Sequence, residues 1–201
     1  MNNSDKIVSS NGKFFDYNKL YNYKRFISGH YVNFQIGNFN NTTISKSANV
    51  LNFYPIVVTE KLVINEIGVI CTTLGVGVKC VAGLYSHNHL LNSSFEPKDL
   101  IVQSNELDMS TTGLKITSIT ATTLLPSIYW VATLLNGTCS MSAKSISSLI
   151  NFGSYDTTNY NAQIKSYNKS LTYTTTLPSS LDISGTTNTT TAQEDVLFKV
   201  N

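Results

Sequence analysis

The feature that most constrains this chain is a two-residue rhythm of apolar and polar side chains. Val32, Phe34 and Ile36 alternate with Asn33 and Gln35, and short segments of similar character recur to the C-terminus. Successive side chains of a strand point to opposite faces, so this rhythm predicts strands with one face toward a core. The spacing predicts strands over Tyr54 to Val58, Leu62 to Cys71, Lys79 to Tyr85, Asp99 to Gln103, Leu114 to Ile119 and Ile128 to Leu134. Further strands are expected over Cys139 to Ser145, Ala162 to Tyr167, Leu171 to Thr175 and Val196 to Val200. Thr72 to Gly77, Thr111-Thr112-Gly113 and Asn136-Gly137 supply turns, because Gly and Asn accept positive φ at low cost. Short strands parted by polar turns imply an all-β sandwich or barrel rather than βαβ units. Leu177 to Gln193, with Pro178, Gly185 and a run of threonines, reads as a long surface loop.

Composition narrows the function classes. Ser, Thr and Asn make up 70 of the 201 residues, while Asp, Glu, Lys and Arg make up 13%. Charge this sparse argues against coiled coils and long solvated helices. The aromatic content, 11 Tyr and 9 Phe, argues against a disordered chain. Thirteen Lys and the single Arg25 form no cluster, so no nucleic-acid partner is expected. The apolar runs fall far short of the ~20 residues that cross a bilayer, so no membrane partner is expected either. Met1 to Lys6 carries no apolar stretch of the kind a secretory signal has. Cys71, Cys80 and Cys139 are odd in number and are expected as buried free thiols; a Cys71–Cys80 pairing across a hairpin is the alternative.

The search for chemistry yields few candidates. His87 and His89 lie on one side of an extended segment, yet two imidazoles without a third ligand fall short of a zinc site. No metal and no cofactor is expected. Glu60 with Glu66, Glu96 with Asp99, and Glu106 with Asp108 are the carboxylate pairs a glycoside hydrolase would need, and each lies in or beside a predicted loop. Tyr155, Asn159, Tyr160 and Tyr167 form the densest aromatic and amide stretch, suited either to a sugar or to a subunit contact. Residues 1–28 form a separate N-terminal arm in which Phe14, Phe15, Tyr17, Tyr21 and Tyr23 follow no period. They are read as a docking segment, since exposed aromatics seek a partner.

The order of motifs carries a resemblance. Asn52-Phe53-Tyr54-Pro55-Ile56 is followed by Ile64-Asn65-Glu66-Ile67-Gly68, then Val81-Ala82-Gly83-Leu84-Tyr85, Ser110-Thr111-Thr112-Gly113, and Leu125-Pro126-Ser127-Ile128-Tyr129-Trp130. Thr176-Leu177-Pro178 and Val196 to Val200 close the series. Residues 29–201 thus resemble a jelly-roll-like β-sandwich domain of tailed-bacteriophage virion proteins, found on tail fibres, head fibres and related appendages. The chain departs from that pattern at Ser127, where the family has Gly, and in the loop from Ser86 to Pro97. The resemblance implies a two-sheet antiparallel sandwich, with Tyr54, Ile67, Tyr85, Tyr129 and Trp130 expected in its core. It also implies a homotrimer whose partners are other virion proteins, located in the virion and assembled in the bacterial host cytoplasm. It supplies no catalytic residues. The expected function is a non-catalytic structural component, a head fibre, capsid decoration or tail accessory protein. A receptor-binding module for host-surface carbohydrate or protein is the first alternative, and a carbohydrate-active hydrolase the second.

Overall fold

In the alternating segments only the inward residues are buried, whereas the continuous apolar runs are buried along nearly their whole length. The computed structural model describes residues 6–8, 14–16, 27–34, 41–88, 96–145, 155–156, 159–163, 166–189 and 192–201. Early in the chain are β1 (Lys6–Val8), β2 (Phe14–Asp16), β3 (Tyr31–Val32) and β4 (Asn41–Lys46). Then come β5 (Val50–Val58), β6 (Leu62–Thr73), β7 (Lys79–His87), β8 (Pro97–Gln103) and β9 (Leu107–Asp108). β10 (Gly113–Leu124), β11 (Ser127–Leu135), β12 (Cys139–Ser145), β13 (Tyr155–Asp156) and β14 (Asn159–Gln163) follow. The chain closes with β15 (Ser166–Ser170), β16 (Thr187–Thr189), β17 (Ala192–Glu194) and β18 (Val196–Val200).

The pairings build two antiparallel sheets. One contains the order β4-β12-β6-β10, and the other the order β5-β11-β7-β8. The chain crosses between the sheets from β4 to β5, β5 to β6, β6 to β7, β8 to β10, β10 to β11 and β11 to β12. Eight strands alternating in this way are a jelly roll, and the expected fold class is therefore the observed one. Two additions decorate it. β15 pairs with the outer side of β5 and β16 with β15. The C-terminal segment enters a fork in the first sheet: β6 and β12 pair only at Thr73–Ser140 and Cys71–Met141, beyond which β17 pairs with β12 and β18 with β6.

Between the sheets lies one core, including Tyr54, Ile56, Ile64, Ile67, Val69, Leu84, Val131 and Phe198. Gly68 lies opposite Ile116 in the β6–β10 ladder, where the backbones come too close for a side chain: a Cβ there would stand 2.3 Å from the Lys115 carbonyl oxygen. A second apolar cluster covers the outside of the second sheet, joining Leu51, Phe53, Val81, Tyr85, Trp130 and Leu134 to Leu177 and Leu181. This second cluster explains the long apolar runs, because β5, β7 and β11 are buried on both faces.

The segment 171–186 is what covers that outer face, and it corrects two expectations. Leu171 to Thr175 forms no strand, and Leu177 to Gln193 is no free surface loop. Leu177 and Leu181 are buried, and the segment is tied down along its length. Tyr173 N–H donates to Asn49 Oδ1, Leu177 N–H to Gln103 Oε1, and Tyr85 O–H to the Pro178 carbonyl. Leu100 and Leu181 exchange backbone bonds with Ser179 and Lys98, which closes the β8 edge. Past residue 186 the chain returns to strand as β16 and β17.

Candidate functional site

Lys46 and Glu194 form an ion pair inside the sandwich, 2.6 Å apart, with side chains 4% and 1% exposed. The alternation of β4 turns Lys46 inward at the end of the strand, and β17 brings Glu194 from the fork. Thr133 O–H donates to Glu194 Oε1 at 2.5 Å, and Tyr54 O–H donates to the Glu194 carbonyl at 2.5 Å. Charges this deep survive only when paired and hydrogen-bonded. Asp195, the next residue, makes the corresponding contacts with Asn33, Ser142 and Lys144. Two adjacent acids thus anchor the C-terminal segment in its fork.

The Lys46 end of this pair borders a groove of about 230 Å³ at the mouth of the sandwich, between β4 on one sheet and β5 and β15 on the other. Ile44, Ser45, Lys46, Ser47, Val50, Asn52 and Asn168 line it. Asn52 and Asn168 stand directly opposite each other across the β5–β15 pairing. The Asn52 amide donates to the Val50 carbonyl at 3.0 Å. Asn168 Oδ1 is buried and has no hydrogen-bond partner, and neither has the buried hydroxyl of Ser166 on the same strand. The turn at the rim is fixed by Asn49, which adopts φ of 58°, a conformation Asn tolerates better than most residues. Its N–H also donates to the Leu135 carbonyl at 2.9 Å.

The expected site residues fall elsewhere. Tyr167 stacks on Phe53, with ring centroids 5.4 Å apart, and lies 5.9 Å from Trp130. It belongs to the outer cluster, while its neighbour Asn168 faces the groove, as period two requires. Tyr155, Asn159 and Tyr160 lie on the β13–β14 hairpin, and their side chains are outside the described residues. Phe14 and Phe15 lie on β2, paired with β1, again with only the strand described; Tyr17, Tyr21 and Tyr23 lie outside the described residues. Tyr54, Ile67, Tyr85, Tyr129 and Trp130 are all buried, as expected of core residues. Nothing in the period or the composition singles out the groove residues except Asn52, a polar residue inside the apolar run of β5.

Most of the other titratable candidates are engaged in structural contacts, while Glu60 and Asp99 are exposed, Asp99 beside Lys98. His87 Nδ1 lies 3.2 Å from the indole nitrogen of Trp130 and 3.0 Å from the Glu96 carbonyl oxygen, and His89 lies outside the described residues. No group of three or more metal-ligating side chains occurs among the described residues. Glu66 accepts from Lys199 at 2.7 Å and also from Tyr31. Those bonds hold its carboxyl below the usual glutamate range, while burial and the nearby carboxylate push the Tyr31 phenol up to about 12. Glu96 accepts from Asn88, Glu106 from Tyr173, and Asp108 pairs with Lys79. The Ser110 hydroxyl and N–H, with Lys79, draw the Asp108 carboxyl down to about 2. Cys71, Cys80 and Cys139 are buried free thiols. β6 and β7 belong to different sheets, so Cys71 and Cys80 do not face each other across a hairpin.

Compared with known proteins, the chain matches no family model, and no curated protein matches it.

Proposed function

We propose that this chain is a non-catalytic structural component of a bacteriophage virion, a head fibre, capsid decoration or tail accessory protein. Residues 29–201 would form its surface domain and residues 1–28 its docking arm. The observation that carries the reading is the strand order β4-β12-β6-β10 against β5-β11-β7-β8. That is the architecture the motif series called for on the strength of its resemblance to phage appendage domains. The engagement of Glu66, Glu96, Glu106 and Asp108 in structural contacts favours a scaffold over a hydrolase. Symmetric self-association is the rule for such assemblies, and a homotrimer is the expected form. Deleting residues 1–28 should leave a soluble β domain that no longer joins particles; normal incorporation of the truncated chain would refute the docking role. A monomer by light scattering at high concentration would count against the trimer.

A second reading, a module that binds host-surface carbohydrate or protein, has the polar groove in its favour. Labelled protein would then decorate susceptible cells, and its failure to do so at micromolar concentration would remove that reading.

A further inference from the structure

We infer that the open edge of β10 is a self-association surface, where a second copy of this chain pairs its own β10 antiparallel about a two-fold axis at Ile116. The contact goes beyond the virion reading and does not depend on it; where a three-fold contact also forms elsewhere, the two together give a hexamer.

β10 pairs with β6 along one side and, among the described residues, with no strand along the other. From Gly113 to Ser118 it runs without a bulge, a straight edge whose outward N–H and C=O groups have no ladder to join. Such edges are usually guarded by charge, proline or a bulge. Here the bulge begins after Ser118, and the one charged residue of the straight piece, Lys115, alternates to the less exposed side, its ammonium donating to Thr111. On the solvent side Leu114 and Ile116 are 46% and 45% exposed. They continue a row of apolar surface, because Ile70 and Gly68 stand opposite them on β6, and Leu197 stands opposite Gly68 on β18. The second sheet has its outer face covered by the segment 171–186, whereas no described residue covers Leu114 or Ile116.

The sequence of this edge suits a second copy. Two antiparallel copies in one continuous sheet are related by a two-fold axis normal to the sheet. That axis keeps each face on its own side, so it must pass beside a single residue. A Lys115 centre sets two ammonium groups opposite each other, which destabilises a ladder. A Thr117 centre sets Leu114 against Thr120, across the bulge, and centres nearer the ends pair fewer residues. An Ile116 centre keeps the pairing inside the straight piece: Leu114 faces Ser118, Lys115 faces Thr117, and Ile116 faces its own counterpart. It also joins the two apolar rows end to end. The nearest charges on that face, Glu66 and Lys199, already pair with each other at 2.7 Å, so they add no net charge to the contact.

Sedimentation velocity on the full chain across the micromolar range tests this. A dimer, or even-numbered species where a trimer also forms, is expected with Kd on the order of 10 μM, in keeping with a small interface. Ile116→Lys, at an exposed site, should weaken the association at least about tenfold with an unchanged melting temperature, because it opposes two ammonium groups at the axis. Ile116→Cys gives an independent readout that decides the matter if Ile116→Lys misfolds. Opposite residues of a ladder lie about 5 Å apart at Cβ, close to disulfide reach, so diamide should turn this variant into a covalent dimer on a non-reducing gel. Leu114→Cys should run as a monomer on the same gel, because its counterpart lies roughly 14 Å away along the strand. Wild-type association by folded Ile116→Lys, no cross-link in Ile116→Cys, or equal cross-linking in Leu114→Cys would each overturn the inference. A chain that stays monomeric or purely trimeric would overturn it too, and would leave the edge to a strand of a different protein.

Discussion

Neutralising one member of the Lys46–Glu194 pair should be more damaging than replacing both. At 2.6 Å, with an effective dielectric of about 20, the direct attraction is about 6 kcal/mol. That is comparable with the several kcal/mol per ion lost when charges of this size leave water. The intact pair is therefore close to neutral for stability. Glu194→Gln keeps the shape and can still accept the Thr133 hydroxyl, but it strands the Lys46 ammonium at 4% exposure. Removing one partner of a buried pair typically costs about 3–5 kcal/mol. For a domain of this size that lowers the melting temperature by roughly 10 °C. The double variant Lys46→Met with Glu194→Leu removes both charges but leaves the buried Thr133 hydroxyl without its acceptor, so it should recover much of the loss and stay about 1–3 kcal/mol below wild type. Urea unfolding of wild type, Lys46→Met, Glu194→Leu and the double variant closes the cycle and gives the coupling energy directly. Two results would refute the reasoning: a Glu194→Gln loss under about 1 kcal/mol, or a double variant as unstable as the sum of the singles.

Three further outcomes follow from the same contacts. Leu177→Ala should destabilise the domain by about 2–4 kcal/mol through a cavity beneath the covering segment, and should red-shift the fluorescence of Trp130, the sole tryptophan, which shares its cluster. Glu66, held low by Lys199 and Tyr31, contributes stability that is complete above the ordinary glutamate value of 4.5 and fades as pH falls through its lower folded-state value. Urea midpoints measured down the acid range should show that decline, and Glu66→Gln should flatten it. The three thiols should react with a thiol reagent only at the rate of unfolding, since all are buried and burial pushes the Cys80 thiol up; reaction of any of them in the native protein within the mixing time would contradict this placement.

How much was legible beforehand differs from element to element. Period-two patterning and short apolar runs bounded by turns marked β6, β7, β8, β10, β11 and β12, because a strand in a sandwich buries one face or both. It could not show that β5, β7 and β11 are covered on both faces, because a run such as Leu51 to Val58 reads the same whichever element lies over it. Nor could it identify that cover: Leu177 and Leu181 are isolated apolar residues in a polar stretch, and their burial depends on backbone ties to Asn49, Gln103 and Lys98. Tyr167 attracted notice as an aromatic near amides, yet the sheet turns it outward and turns Asn168 toward the groove.

From the sequence alone come the all-β class and the positions of most of the strands. These depend on side-chain periodicity and transfer from water, which are properties of each short segment. The tertiary structure alone decided that Lys46 meets Glu194 across 147 intervening residues, and that Asn52 faces Asn168 at the sandwich mouth. Such contacts depend on register and sheet order, and many chain segments must fold together before either is fixed.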